Sequence, residues 1–367
     1  MRGLCLHPRI NLVAILSLVV FCWGRSQAQA VPAADDGKPA TSAVSPSAHG
    51  NISSKSLMPN ITEDWSTPSL KGSDLEATEP LVGESYNGTS GYTRELIRIQ
   101  WRSLDPIDLY IVKPAGVKKP PVILYLYSYP FELDRFREDA FCKFLTMNGF
   151  AAIGFASALT GQRYHPPRPL KQWFVSELQE SLATSAHDVQ MILNHLASRG
   201  DMDLERVGMF GDGSGATIAI LAAAADPRIK TLDLLDIWGD WPDWIAKSTL
   251  VPENERPDFL KPEWLARVAP LDPMVWLPKL KTQTIRIQNV STVTVTPNEA
   301  KRKIEAAAPS NVEIVHYEDA KAFRSAASGG TGFDWIKRQV QAGSIKQPQP
   351  AGDLQSQNPS ATQKAAE

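Results

Sequence analysis

Through the middle of the chain, short runs of apolar residues alternate with stretches in which apolar positions recur every three or four residues. Runs apolar on both faces read as strands of a covered, mostly parallel sheet, and the 3.6-residue period reads as helices laid over it. Strands are expected at Leu96 to Trp101, Ile107 to Val112, Pro121 to Ser128, Ala151 to Ala156, Val207 to Gly211, Thr231 to Trp238, Thr284 to Asn289 and Val312 to Tyr317. The first two make an entering hairpin. Leu178, Leu182, Val189, Ile192, Leu193 and Leu196 share one helix face, with Ser176 as the N-cap and Gly200 as the stop. Further helices are expected from Ser214 to about Ala225 and near Phe333 to Val340. Between Pro242 and Lys281 the chain is rich in Pro and Trp, with short helical stretches, and reads as a small cap insertion over the strand ends.

At both ends this patterning disappears. Arg2 and Arg9, the apolar stretch Leu12 to Trp23 and the small-residue site Ala28-Gln29-Ala30 spell a secretory signal peptide over residues 1–30, the apolar stretch being short for a membrane span. In residues 31–90, 33 of 60 positions are Ala, Gly, Pro, Ser or Thr, the composition of a flexible linker. Residues 341–367 are rich in Gln, Pro and Ala and read as a disordered tail, which leaves residues 91–340 for one folded α/β domain.

Charge and cysteine content narrow the function. The 38 Lys+Arg against 40 Asp+Glu give a net charge of -2, no electrostatic basis for a nucleic-acid partner. Cleavage after Ala30 would remove Arg2, Arg9 and Arg25 and no acid, shifting the charge to -5, and would leave no membrane span. It would also remove Cys5 and Cys22. Cys142 then has no disulfide partner and, beside Phe141, Phe144 and Leu145, reads as a small buried hydrophobe. The expected location is secreted or periplasmic.

The junction Val207-Gly208-Met209-Phe210-Gly211-Asp212-Gly213-Ser214-Gly215 is a strand, a glycine-rich turn and an Ala-rich helix in succession. It resembles the nucleophile elbow of the α/β-hydrolase superfamily, and with the strand order it is most similar to the exported esterase, dienelactone-hydrolase and prolyl-peptidase-like branch. The resemblance implies an α/β-hydrolase fold, a mostly parallel eight-stranded sheet with helices on both faces. In that family the elbow reads G-x-S-x-G. Gly211 and Gly215 match the flanking glycines, but the nucleophile position is Gly213, which has no side chain to attack a carbonyl. Ser214 is one residue late. Its hydroxyl has two readings, a cap on the following helix or a displaced nucleophile.

The other triad positions, by the same resemblance, follow in the order acid, then His. The segment Gln288 to Thr296 past the seventh expected strand has no Asp or Glu, and no His occurs from Tyr317 to Glu367. Some members take the acid after the sixth strand, where Asp236 and Asp240 lie. Among the remaining histidines, His165 follows the fourth expected strand at the carboxyl edge, where open α/β sheets bind ligands. A Ser214, His165, Asp240 constellation can therefore be written, with spacing giving it no support.

Aromatic residues mark the same edge. Tyr127-Ser128-Tyr129-Pro130 takes the place of the family's oxyanion-loop glycines, and Tyr164, Trp238 and Trp241 join them. They either line a pocket for a small-molecule, sugar or peptide ligand or fill the space of a lost active site. No metal-ligand spacing, Walker loop or dinucleotide fingerprint occurs, so no cofactor and no metal site is indicated. Three readings follow: a non-catalytic ligand-binding or accessory protein, an ester or peptide hydrolase rearranged around Ser214, and a structural cell-envelope interaction protein.

Overall fold

The apolar runs pair into one sheet of nine strands, one more than the patterning indicates. In a computed structural model, which describes residues 77–87, 91–102, 105–159, 163, 174–280, 283–328 and 331–342, the strands are β1 (Leu81–Asn87), β2 (Tyr92–Ile99), β3 (Ile107–Pro114), β4 (Pro121–Leu126), β5 (Ala151–Phe155), β6 (Asp203–Asp212), β7 (Ile229–Leu235), β8 (Thr284–Val290) and β9 (Glu313–Tyr317). Their spatial order is β1-β2-β3-β5-β4-β6-β7-β8-β9. The pairs β1–β2, β2–β3 and β3–β5 are antiparallel and the rest are parallel.

The added strand corrects the linker reading. Leu81–Asn87 lies inside residues 31–90, yet it pairs with β2 along the sheet edge. Leu81 and Val82 are exposed at 70% and 66%, so β1 adds little to the core. The expected signal peptide, the rest of the linker before residue 77 and the tail beyond residue 342 lie outside the described residues.

Helices cover both faces, which is why the central strands read as continuous apolar runs: every residue of β4 and β5 is buried. One face carries α1 (Asp139–Thr146) and α10 (Thr331–Ala342), with α9 (Ala320–Ser328) beside α10. The other carries α2 (Leu178–Arg199) and α3 (Ser214–Ala225). Helix α3 is sandwiched between α2 and the sheet, and its alanines permit that close packing. Helix α2 ends where expected, at Gly200 in the left-handed region (φ 67°). Its N-cap is Glu177 instead of Ser176, because a 3-10 turn over Phe174–Glu177 runs straight into the helix.

The Pro- and Trp-rich segment forms α4 (Trp241–Lys247), α5 (Arg256–Phe259), α6 (Pro262–Val268) and α7 (Pro273–Trp276). Helix α6 packs against α2 and α7 against α3, so the segment extends the helical layer at its flank. Helix α8 (Asn298–Ala307) packs against α4 and α7. Buried ion pairs tie distant pieces together: Arg286 of β8 grips Asp233 of β7 at 2.9 and 2.7 Å. Arg163 bonds to both Asp105 and Asp188.

Candidate functional site

The turn between β6 and α3 has the geometry of a nucleophile elbow. Gly213 has φ 55° and ψ -113°, a conformation that a residue with a side chain adopts only under strain. Its N–H donates to Leu235 O (2.9 Å) and its carbonyl accepts from Trp238 N (3.4 Å), which fixes the turn between β6 and the end of β7. The flanking glycines are steric requirements: a Cβ on Gly215 would run into the Leu126 carbonyl, and one on Gly211 would lie 2.5 Å from Gly215 O.

What surrounds Gly213 decides the chemistry available. A Cβ there would lie 2.5 Å from Ser128 Oγ and 2.8 Å from Trp238 Nε1. The space in which an elbow side chain starts is thus filled by a hydroxyl from the loop after β4 and an indole from the loop after β7. Ser214 is 1% exposed, and its Oγ accepts the Tyr129 N–H at 2.9 Å. That corrects the reading of this hydroxyl as a cap on its own helix: it holds the neighbouring loop instead. The same loop is closed by a second bond, Phe131 N to Ser128 O (2.9 Å), around a cis Tyr129–Pro130 peptide. A backbone donor in the stretch that the resemblance assigns to the oxyanion loop is therefore engaged within the protein.

The two candidate acids have separate partners. Asp236, at the end of β7 with φ 47°, is buried, pairs with Lys301 Nζ (2.7 Å) and accepts the Val290 N–H (3.0 Å). Lys301 also donates to Val290 O and Val293 O (2.7 and 2.9 Å), so the β8–α8 connection is latched to Asp236. Desolvation pushes the Asp236 carboxyl above its ordinary range, and Lys301 opposes that. Asp240 turns outward to Lys303 (2.8 Å). Ser214 and Asp240 share no hydrogen bond, and His165 and Tyr164 lie outside the described residues. His187 bonds to Gln190 (2.8 Å) and His316 to Glu305 (2.7 Å).

Two carboxyls that sequence reasoning missed stand near this edge. Asp212, the last residue of β6, is half-buried; its carboxyl has no hydrogen-bond partner among the described residues and is pushed up to about 7 by desolvation and then by Asp236. Glu132 is 3% exposed and accepts from Ser157 Oγ (2.6 Å); desolvation raises it to about 7 against that bond. Nothing in local spacing announces either, because burial is set by strands far away in the chain.

The predicted aromatic set splits between the two faces. Tyr127, two residues after Tyr125, points the same way along the strand direction and packs on Phe141 and Phe210. Its hydroxyl is buried and has no hydrogen-bond partner among the described residues. Trp238 lies against Trp244 (ring centroids 5.0 Å) and Trp241 meets Trp244 edge-on (5.8 Å), all three within the opposite core, against which Tyr129 packs. These residues form no common open pocket among the described residues; most of their rings are core. A separate groove of about 510 Å³ opens beside Trp241, between α4, α6 and α7.

Among the described residues no cluster of three or more His, Cys, Asp or Glu is placed to hold a metal ion, and no helix is long and apolar enough to cross a membrane. No protein-family profile matches the sequence, and no curated protein matches it by sequence. Many solved structures match the fold. An acetyl xylan esterase from Paenibacillus sp. R4 is 16% identical over 78% of this chain and 96% of its own, with a TM-score of 0.56. A 2,6-dihydroxy-pseudo-oxynicotine hydrolase is also 16% identical, over 65% of this chain and 66% of its own, with a TM-score of 0.50. At these identities the likeness establishes the fold: the chain has the α/β-hydrolase fold.

Proposed function

We propose that this chain is an exported α/β-hydrolase-fold protein that has given up serine-hydrolase chemistry and serves as a ligand-binding or accessory protein. The observation that carries the reading is the filled elbow: Gly213 stands at the nucleophile position, and Ser128 and Trp238 occupy the space its side chain would need. Covalent acyl transfer needs a nucleophile with a base within about 2.6–3.2 Å and a third group orienting that base. Ser214, the next residue in the chain, is buried, and its hydroxyl accepts from Tyr129 N. The acid position after β7 is tied to Lys301, and the chain past Tyr317 contains no His. Export rests on the amino-terminal pattern of Arg2, Arg9, Leu12 to Trp23 and Ala28-Gln29-Ala30.

The rival is a hydrolase rearranged around Ser214, with an activity class suggested by the esterase and hydrolase neighbours. Hydrolysis of p-nitrophenyl acetate separates the two. The proposal expects a rate at the level of buffer, equal within twofold in wild type and Ser214→Ala. Hydrolysis that falls a hundredfold in Ser214→Ala, about 2.7 kcal/mol of transition-state stabilisation, would overturn it.

A further inference from the structure

Glu132 ends the same loop after β4 whose Ser128 and Tyr129 close the elbow, and its carboxyl reaches across to the loop after β5. It is buried, accepts from Ser157 Oγ at 2.6 Å and forms no ion pair among the described residues. Ser157 is itself buried in a fixed loop: its Oγ also accepts the Leu159 N–H (3.3 Å), and the Ala158 N–H donates to Ser185 Oγ of α2 (2.8 Å). The Glu132–Ser157 bond therefore clasps the β4 loop to a frame anchored in α2.

This clasp suits a neutral carboxyl. One hydroxyl donor repays only part of the hydration that a carboxylate loses on burial. Two charged groups face it: Asp134, two residues on, opposes ionisation, and Arg163 from beyond β5 favours it but is already bonded to Asp105 and Asp188. Desolvation wins and pushes the carboxyl up to about 7. An ionised Glu132 regains water only if its loop moves off Ser157, and the loop has room to move, because Pro130 and Phe131 are exposed.

We propose that Glu132 is a proton-operated latch: its neutral carboxyl holds the loop after β4 down over the elbow through Ser157, and its ionisation lets residues 128–132 lift from the seat beside Gly213. Ser128 Oγ stands 2.5 Å from where a Cβ on Gly213 would lie, so lifting removes one of the two groups that fill the seat. The direction follows from linkage. A proton binds the closed loop more tightly than the lifted one, so opening rises with pH from about 4.5, where a solvated glutamate titrates, and levels off above about 7. The latch goes beyond the non-catalytic reading and holds whether or not the elbow carries chemistry.

Amide hydrogen exchange of the full chain tests it, read as protection factors at Tyr129 N, which donates to Ser214 Oγ, and Phe131 N, which donates to Ser128 O. Between about pH 5 and about pH 7.5 the protection of both amides should fall at least tenfold in wild type and less than threefold in Glu132→Gln, which puts a neutral group of the same shape in the acid's place. Leu124 in β4 and Ile153 in β5 should stay at least a hundredfold better protected, because the opening is local. A smaller fall in wild type, equal falls in the two proteins, or loop amides that exchange only as slowly as Leu124 and Ile153 would overturn the latch. Ser157→Ala removes its other half and should lower the protection of both loop amides at least threefold already at about pH 5; unchanged protection there would overturn it as well.

Discussion

Returning a hydroxyl to the elbow is the most direct challenge to this reading. In Gly213→Ser the new Cβ would lie 2.5 Å from Ser128 Oγ and 2.8 Å from Trp238 Nε1, both well inside van der Waals contact. Two costs follow. A side chain at φ 55°, ψ -113° carries backbone strain of about 1–3 kcal/mol. Overpacking adds about 1–3 kcal/mol, since Trp238 is fixed against Trp244 and Ser128 must give way. The sum is about 2–6 kcal/mol, centred near 4, measurable by urea denaturation followed by tryptophan fluorescence. In a folded domain of this size that is a drop in Tm of about 8–16 °C. The double variant Gly213→Ser with Ser128→Gly should recover the Ser128 part of the overpacking, about 1 kcal/mol or more, while the strain and the Trp238 contact remain. A Gly213→Ser protein within 0.5 kcal/mol of wild type, or a double variant no better than the single, would refute the filled-seat argument. On the proposed non-catalytic reading, neither variant should hydrolyse p-nitrophenyl acetate.

Other perturbations read other parts of the structure. Glu132 keeps its proton to about pH 7 in the folded state against an ordinary 4.5, so its contribution to stability is complete below pH 4.5 and lost as pH rises through 7. The ceiling on that loss is about 3 kcal/mol at about 1.4 kcal/mol per pH unit. Glu132→Gln should therefore flatten the fall in Tm between pH 5 and 8, and a profile parallel to wild type would contradict the burial of this carboxyl. Lys301→Met leaves Asp236 buried without its cation and should cost about 3–5 kcal/mol, most of it regained in Lys301→Met with Asp236→Asn; equal losses in both variants would sink the latch. Gly215→Ala pushes α3 off β4 at the Leu126 carbonyl and should lower Tm more than any other Gly→Ala change in α3 or the elbow except Gly211→Ala, as thermal melts would show.

Much of the fold was legible because burial on both faces writes itself into composition. Pro121–Leu126 and Ala151–Phe155 are apolar throughout, so their strands could be read directly. Strand β1 could not, because Leu81–Asn87 carries Gly83, Glu84 and Ser85 in an edge position with a register shift between Val82 and Glu84, and composition then resembles linker. The elbow was legible from the spacing of Gly211, Gly213 and Gly215. The contacts that fill it were not: Tyr129 N to Ser214 Oγ and Lys301 to Asp236 join residues far apart in the chain through the sheet order. Grouping Tyr127 with Trp238 failed because the two residues lie on opposite faces of the sheet. Asp272 had a local signal, an acid directly before Pro273 at a helix start, which is a common cap pattern.

The occupied seat beside Gly213 also gives sequence drift a direction. Some glycine codons lie one base from a serine codon, so serine at this position can be reached by a single change at the level of DNA. At the level of the protein such a serine arrives in a space already held by Ser128 and Trp238, so it is strained and crowded. A side chain at 213 is accommodated only once Ser128 or Trp238 has given way. The loop after β4 thus acts as a ratchet tooth, penalising the single change that would place a hydroxyl at position 213.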